Sequence, residues 1–148
     1  MIDLRPASPA HVGRIARNMR EADTLECGAF GRTPRQALRF GLQASVLAFT
    51  AFDERPVAML GLTPVNAIES VARPWLLGTD AVFACARPLL TLGPPIIAAM
   101  HARFRRLENQ VWTGNTRAIR LLGQWGFEIG DEVAMIGGLP FVDFWREA

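Results

Sequence analysis

The chain has 148 residues, half of them apolar and a fifth charged, which suits one folded domain and excludes disorder or a disulfide-stapled miniprotein. The formal charge of +2 is too small to announce a polyanionic partner, despite a pI near 9.0. All 16 basic residues are arginine and tyrosine is missing, so a Schiff-base lysine, a P-loop lysine and a tyrosine acid or base are excluded.

No apolar run reaches the roughly 20 residues of a membrane span, and MIDLRPASPA lacks a signal-peptide core, so a soluble protein is expected. Ile2 to Arg5 reads as a first strand. Ser8-Pro9 then supplies an N-cap and a first-turn proline. Val12, Ile15, Ala16 and Met19 follow at helical spacing, with Arg14, Arg17 and Arg20 on the opposite side. A second helix starts at Thr33-Pro34-Arg35-Gln36, which has capping-box spacing, and runs on through Ala37, Leu38, Gly41, Leu42 and Ser45. Val46 to Phe52, the turn Asp53-Glu54-Arg55-Pro56 and Val57 to Thr63 make a hairpin. Arg73 to Thr79 is a further strand.

An apolar stretch around Pro88 to Leu92 leads into a helix from about Pro95 to Arg106, ending on Arg103, Arg105 and Arg106, which suit a negative dipole end. Leu107 to Trp112 reads as a strand, Asn115 to Trp125 as a helix, and short strands around Phe127 and Phe141 close the chain. The expected fold is therefore mixed α/β over residues 1–148: a largely antiparallel sheet with about four helices on both faces, the two late helices serving as crossovers.

The most informative segment is Asn115-Thr116-Arg117-Ala118-Ile119-Arg120-Leu121-Leu122-Gly123-Gln124-Trp125-Gly126-Phe127. Asn115 can cap the helix by accepting a first-turn N–H, and Ala118, Leu121, Leu122 and Trp125 form a buried stripe. Gly126 can end the helix in the left-handed conformation while Phe127 folds back on Leu122. A well-capped helix without chemistry satisfies the same pattern. This Asn, Ala, Leu and terminal Gly-Phe nevertheless resembles the last motif of the GNAT acyltransferase superfamily, and the order of elements resembles that fold over nearly the whole chain. Arg73-Pro74-Trp75-Leu76-Leu77-Gly78-Thr79, Leu107-Glu108-Asn109-Gln110-Val111 and Phe141–Trp145 are similar to one branch, the small GNAT-like internal virion or core proteins of tailed phages.

The resemblance implies acetyl-CoA, its diphosphate held on backbone N–H groups at a helix start that carries an Arg/Gln-x-x-Gly-x-Gly/Ala pattern. The matching stretch, Arg87-Pro88-Leu89-Leu90-Thr91-Leu92-Gly93-Pro94-Pro95, has one glycine and then two prolines without N–H, so a structural or degenerate loop is expected there. Leu122 stands where many relatives place a tyrosine acid. If acetyl-CoA binds, Leu77, Gly78 and Thr79, where a backbone N–H would polarise the thioester carbonyl, and Asn115 are the implied cofactor positions.

Glu21, Asp23, Glu26 and Asp80 are candidate bases for an amine, each equally readable as solvated loop charge. His11 and His101 lack the neighbours of a zinc site, so no metal is assigned and packing roles are the default. Cys27 and Cys85, without a CxxC pattern, read as reduced buried thiols of an intracellular or virion protein. Trp75, Trp112, Trp125 and Trp145 read as core or interface anchors, and nucleic-acid contact through the late arginines is disfavoured. The mean hydropathy of +0.16 points to homo-oligomer contacts.

Two functions follow. One is a phage virion or assembly protein, in the particle or the host cytoplasm, that uses the fold as a non-catalytic scaffold for other virion proteins and needs no cofactor. The alternative is an acetyl-CoA-dependent N-acyltransferase acting on an amine.

Overall fold

The turn at Asp53–Arg55 brings β2 (Leu47–Asp53) back antiparallel against β3 (Arg55–Asn66), with Glu54 at φ +63°, and β1 (Asp3–Pro6) adds to the outer edge of β2. The computed structural model describes residues 1–84 and 86–148, so the Cys85 thiol lies outside the described residues. β4 (Val71–Gly78) pairs antiparallel with β3, β5 (Arg106–Trp112) parallel with β4, and β7 (Leu139–Glu147) antiparallel with both β5 and β6 (Glu128–Ile136). Among the described residues this is a seven-stranded sheet in the order β1-β2-β3-β4-β5-β7-β6. The last two strands are longer than their sequence predicts. Gly137 and Gly138, at φ +56° and +84°, supply the paired positive φ values of a tight hairpin turn.

Helices cover both faces, as expected of this fold class. Ser8 caps a 3-10 turn (Pro9–His11) that leads into α1 (Val12–Arg17). The Thr33–Gln36 capping box opens α3 (Pro34–Ala44), its two reciprocal bonds being 3.0 and 3.2 Å. Val12, Ile15, Leu38 and Met59 form the core on this face. On the other face lie α4 (Asp80–Ala84), α5 (Ala86–His101) and α6 (Thr116–Gln124), which bury Leu89, Ile97, Met100 and Leu121.

Four sequence expectations are corrected. Glu21, Asp23 and Glu26 lie on a helix, α2 (Glu21–Ala29), rather than in a loop; its apolar pattern is too weak to announce it. The stretch Arg87–Pro95 is not a loop but the first part of α5, with Pro94 and Pro95 inside the helix. The pair removes the N–H groups that would serve the carbonyls four residues earlier, yet burial of Leu89, Ile97 and Met100 on either side outweighs that loss. Arg103, Arg105 and Arg106 do not end the helix, which stops at His101; Arg105 and Arg106 instead meet Glu147 of β7 at 3.0 and 2.8 Å. Finally, Asn115 is the residue before α6 but makes no side-chain cap; its side chain is buried elsewhere. At the other end of α6 the expectation holds. Gly126 has φ +86° and the Phe127 N–H donates to Leu122 O at 3.0 Å.

One proline decides where the sheet opens. Thr79 N–H donates to Val57 O on β3, while Ser70 O accepts from Arg106 N–H on β5, so alternate residues Ala72, Pro74, Leu76 and Gly78 turn their polar groups toward β5. The β4–β5 pairing covers only Val71 with Arg106 and Ala72 with Leu107. The next position is Pro74, which has no N–H to give, so the ladder stops and the strands diverge. Asn109 Nδ2 spans the start of the gap to Pro74 O at 2.8 Å.

Candidate functional site

At the far end of the gap, α2 supplies what β5 no longer does. Asp23 and Glu26 are three residues apart, so both point from one face of α2. Asp23 Oδ2 accepts from Gly78 N–H of β4, and Glu26 Oε2 accepts from Trp112 N–H of β5, each at 2.9 Å. Arg20, just before α2, donates through its main chain to Gly78 O at 2.9 Å, through Nη1 to Asp23 Oδ1 at 2.9 Å and through Nη2 to Asn115 Oδ1 at 3.1 Å. Asn115 also lies close enough to both carboxylates to favour their charged forms. The Arg20 guanidinium lies 4.2 Å from the Phe83 ring centre. Arg20, Asp23 and Asn115 are all buried, at 7, 3 and 2% exposure.

Burial dominates the electrostatics. It raises the Asp23 pKa by more than Arg20, the Gly78 N–H and Asn115 lower it. Glu26 is pushed up to about 7, because desolvation outweighs the Trp112 N–H and Asn115. A carboxyl that titrates near neutrality can accept a proton from an ammonium group and release it again. Cys27 is driven the other way for a nucleophile, to about 12, by burial and the two neighbouring carboxylates.

The gap opens into a cavity of about 310 Å³ with this cluster at its polar end. Leu76, Ile97, Leu122 and Trp125 are among its apolar walls on the α5–α6 side, and Phe40, Trp75 and Phe141 on the α2–α3 side. Between the Asn109 bridge at Pro74 and the Asp23–Arg20 closure at Gly78, Leu76 faces the gap without a pairing on β5.

Reduced to its geometry, the sheet carries a parallel pair of central strands that splay apart, a crossover helix on one side and a largely apolar pocket with two carboxylates where they part. Superposition on solved structures decides the identity of this arrangement. It matches a spermidine N-acetyltransferase from Vibrio cholerae in complex with CoA and spermine, with a TM-score of 0.71 at 12% identity over 99% of this chain and 95% of that one. The fold is that of the GNAT acetyltransferases. An aminoglycoside acetyltransferase in complex with coenzyme A superposes with a TM-score of 0.68 at 14% identity, over 99% and 95% of the two chains. A GNAT-family acetyltransferase from Bacillus anthracis gives 0.71 at 10%, over 99% and 94%. No protein-family model and no curated protein sequence matches the chain.

Within the GNAT fold, the implied cofactor positions separate. Gly78 N–H is held by Asp23, and Thr79 N–H by Val57 O on β3; Leu77, like Thr79, turns toward β3. Asn115 lies in the buried cluster beside them. The β4 edge of the gap offers Leu76 N–H. Between Arg87 and Ile97 three residues, Pro88, Pro94 and Pro95, have no N–H to offer a diphosphate. Gly93 there is covered by the Trp125 indole, whose buried Nε1 has no hydrogen-bond partner among the described residues.

The other candidates take structural roles. Glu21 and Asp80 are exposed. His11 Nδ1 meets Thr50 Oγ1 at 2.8 Å beside Phe52, and His101 Nδ1 meets Phe104 O at 3.0 Å. Trp75 Nε1 donates to Ser45 Oγ at 2.8 Å, and Trp145 lies under Arg106. Among the described residues, no group of three His, Cys, Asp or Glu side chains could hold a metal, and no helix is long and apolar enough to cross a membrane. Arg20 and Leu76 were the residues that sequence reasoning missed. The Arg20-x-x-Asp23-x-x-Glu26 spacing is the signal that could have found the first, and Pro74 two residues before Leu76 the second.

Proposed function

We propose that the chain is an N-acyltransferase that takes an acetyl group from acetyl-CoA and passes it to an amine. The observation that carries this is the gap between β4 and β5 beyond Ala72–Leu107, which opens directly onto Glu26. Glu26, titrating near 7, takes the proton from the incoming ammonium so that the free amine can attack. Acetyl-CoA supplies the acyl group as a thioester: the carbon–nitrogen bond forms as the carbon–sulfur bond breaks, and the thiolate is the leaving group. Leu76 N–H is the β4 donor that faces the gap and can polarise an acyl carbonyl. Asn115 and Arg20 hold the carboxylates in place. The spermidine and aminoglycoside acetyltransferases of the same fold support this reading.

A second reading has its own observation. Three of the nine residues Arg87–Pro95 are prolines without an N–H for a diphosphate, and no tyrosine acid exists. These favour a chain in which the GNAT fold is a non-catalytic scaffold for protein contacts, the role a phage virion or assembly protein would give it. Thermal denaturation with acetyl-CoA, followed by an assay of thiol release with added amines, separates the two. A ligand at 100 times its Kd stabilises the fold by about 2.7 kcal/mol. A shift together with thiol release upholds the enzyme, whereas no shift at millimolar acetyl-CoA upholds the scaffold.

A further inference from the structure

We infer that the acceptor amine also carries a carboxylate and an apolar body, as an apolar or aromatic amino acid does, and is not a polyamine; the inference rests on the N-acyltransferase reading above. The cavity mouth on the α2–α3 side is cationic and aromatic. Arg32, just after α2, and Arg73, on β4, both line it and are exposed, and neither is ion-paired with a carboxylate among the described residues. The Arg32 guanidinium lies 4.0 Å from the ring centre of Phe40, which is 47% exposed. Trp75 also lines the cavity, its indole over Gly41, where a Cβ would stand 2.6 Å from the ring.

The carboxylates that line the cavity, Asp23 and Glu26, both come from α2. Asp23 is bound by Arg20 and the Gly78 N–H, which leaves Glu26 as the group for an ammonium. An amine whose nitrogen approaches Glu26 therefore presents the rest of itself to two unpaired guanidinium groups and two aromatic rings. A second cationic centre would be repelled there, while a carboxylate gains charge-assisted, two-pronged hydrogen bonds. The apolar body gains contact with Phe40 and Trp75. A volume of about 310 Å³ is at the small end of ligand sites, which suits an amino acid better than an oligosaccharide.

The experiment compares L-phenylalanine, phenylethylamine (the same body without the carboxylate) and spermidine as acceptors for the full chain with acetyl-CoA. Phenylalanine is expected to exceed both others at least tenfold in kcat/KM. Arg73→Gln and Arg32→Gln are each expected to raise KM for phenylalanine at least fivefold and to narrow its advantage over phenylethylamine. Equal or better turnover of phenylethylamine or spermidine overturns the inference while leaving the acyltransferase standing. If no amine is acetylated, that reading fails instead, and the anion subsite is decided by thermal shift. N-acetyl-L-phenylalanine should then stabilise the wild type more than N-acetylphenylethylamine and lose the difference in Arg73→Gln; equal shifts overturn it.

Discussion

Glu26→Gln separates the charge of this residue from its shape. Glutamine keeps an oxygen for the Trp112 N–H that Glu26 Oε2 now accepts at 2.9 Å, but it cannot ionise. In the folded protein the Glu26 carboxyl titrates at about 7 against its usual 4.5, so its charged form is disfavoured by folding. Below pH 4.5 the group is protonated in both states and costs nothing. Between 4.5 and 7 the unfolded chain ionises while the folded one holds its proton, so wild-type stability falls as pH rises, and above 7 the loss is complete. The full displacement corresponds to about 3 kcal/mol, an upper bound because Glu26 is only partly shielded from water; a gain of about 1–3 kcal/mol at pH 8.5 is expected for the variant. Urea denaturation of both proteins at pH 5, 6, 7 and 8.5 measures it. The difference should grow with pH while acyl transfer collapses. A pH-independent difference, or a variant less stable than wild type at pH 8.5, would refute the placement of a neutral-range carboxyl in this gap.

Asn115→Ala should cost about 1–3 kcal/mol in chemical denaturation, because the buried Arg20 guanidinium loses the oxygen it now reaches at 3.1 Å. Gly41→Ala drives a methyl group into Trp75 and should destabilise by about 1–3 kcal/mol, with a changed tryptophan emission spectrum as its signature. In a Cys85→Ser background, Cys27 should resist alkylation at pH 8 until the protein unfolds, since its buried thiol titrates near 12.

Elements with strong local chemistry were legible in the sequence. The capping box at Thr33, the Asp53–Arg55 turn and the Gly126-Phe127 stop all form as their residues direct. What was not legible depends on tertiary partners. The second helix has little amphipathic pattern because its inward face carries Asp23 and Glu26, whose partners are backbone groups 55 and 86 residues away. The proline pair reads as a breaker only until burial around it is counted. Asn115 looks like a cap by type and position, yet Arg20, 95 residues distant, claims its oxygen. Glu26 was one of four indistinguishable acids in sequence; Glu21 and Asp80 are exposed and Asp23 is ion-paired with Arg20, so it is the tertiary partners that set Glu26 apart.

Pro74 has a mechanical consequence as well. With its ladder interrupted, the sheet behaves as two plates, β1 to β4 and β5 to β6, riveted at one corner by two residue pairs and strapped at the opposite corner by side chains of a single helix. Removing the strap while leaving the rivet should loosen one plate against the other without melting either. Amide protons of Gly78 and Trp112 would then exchange with solvent well before those at Ala72 and Leu107.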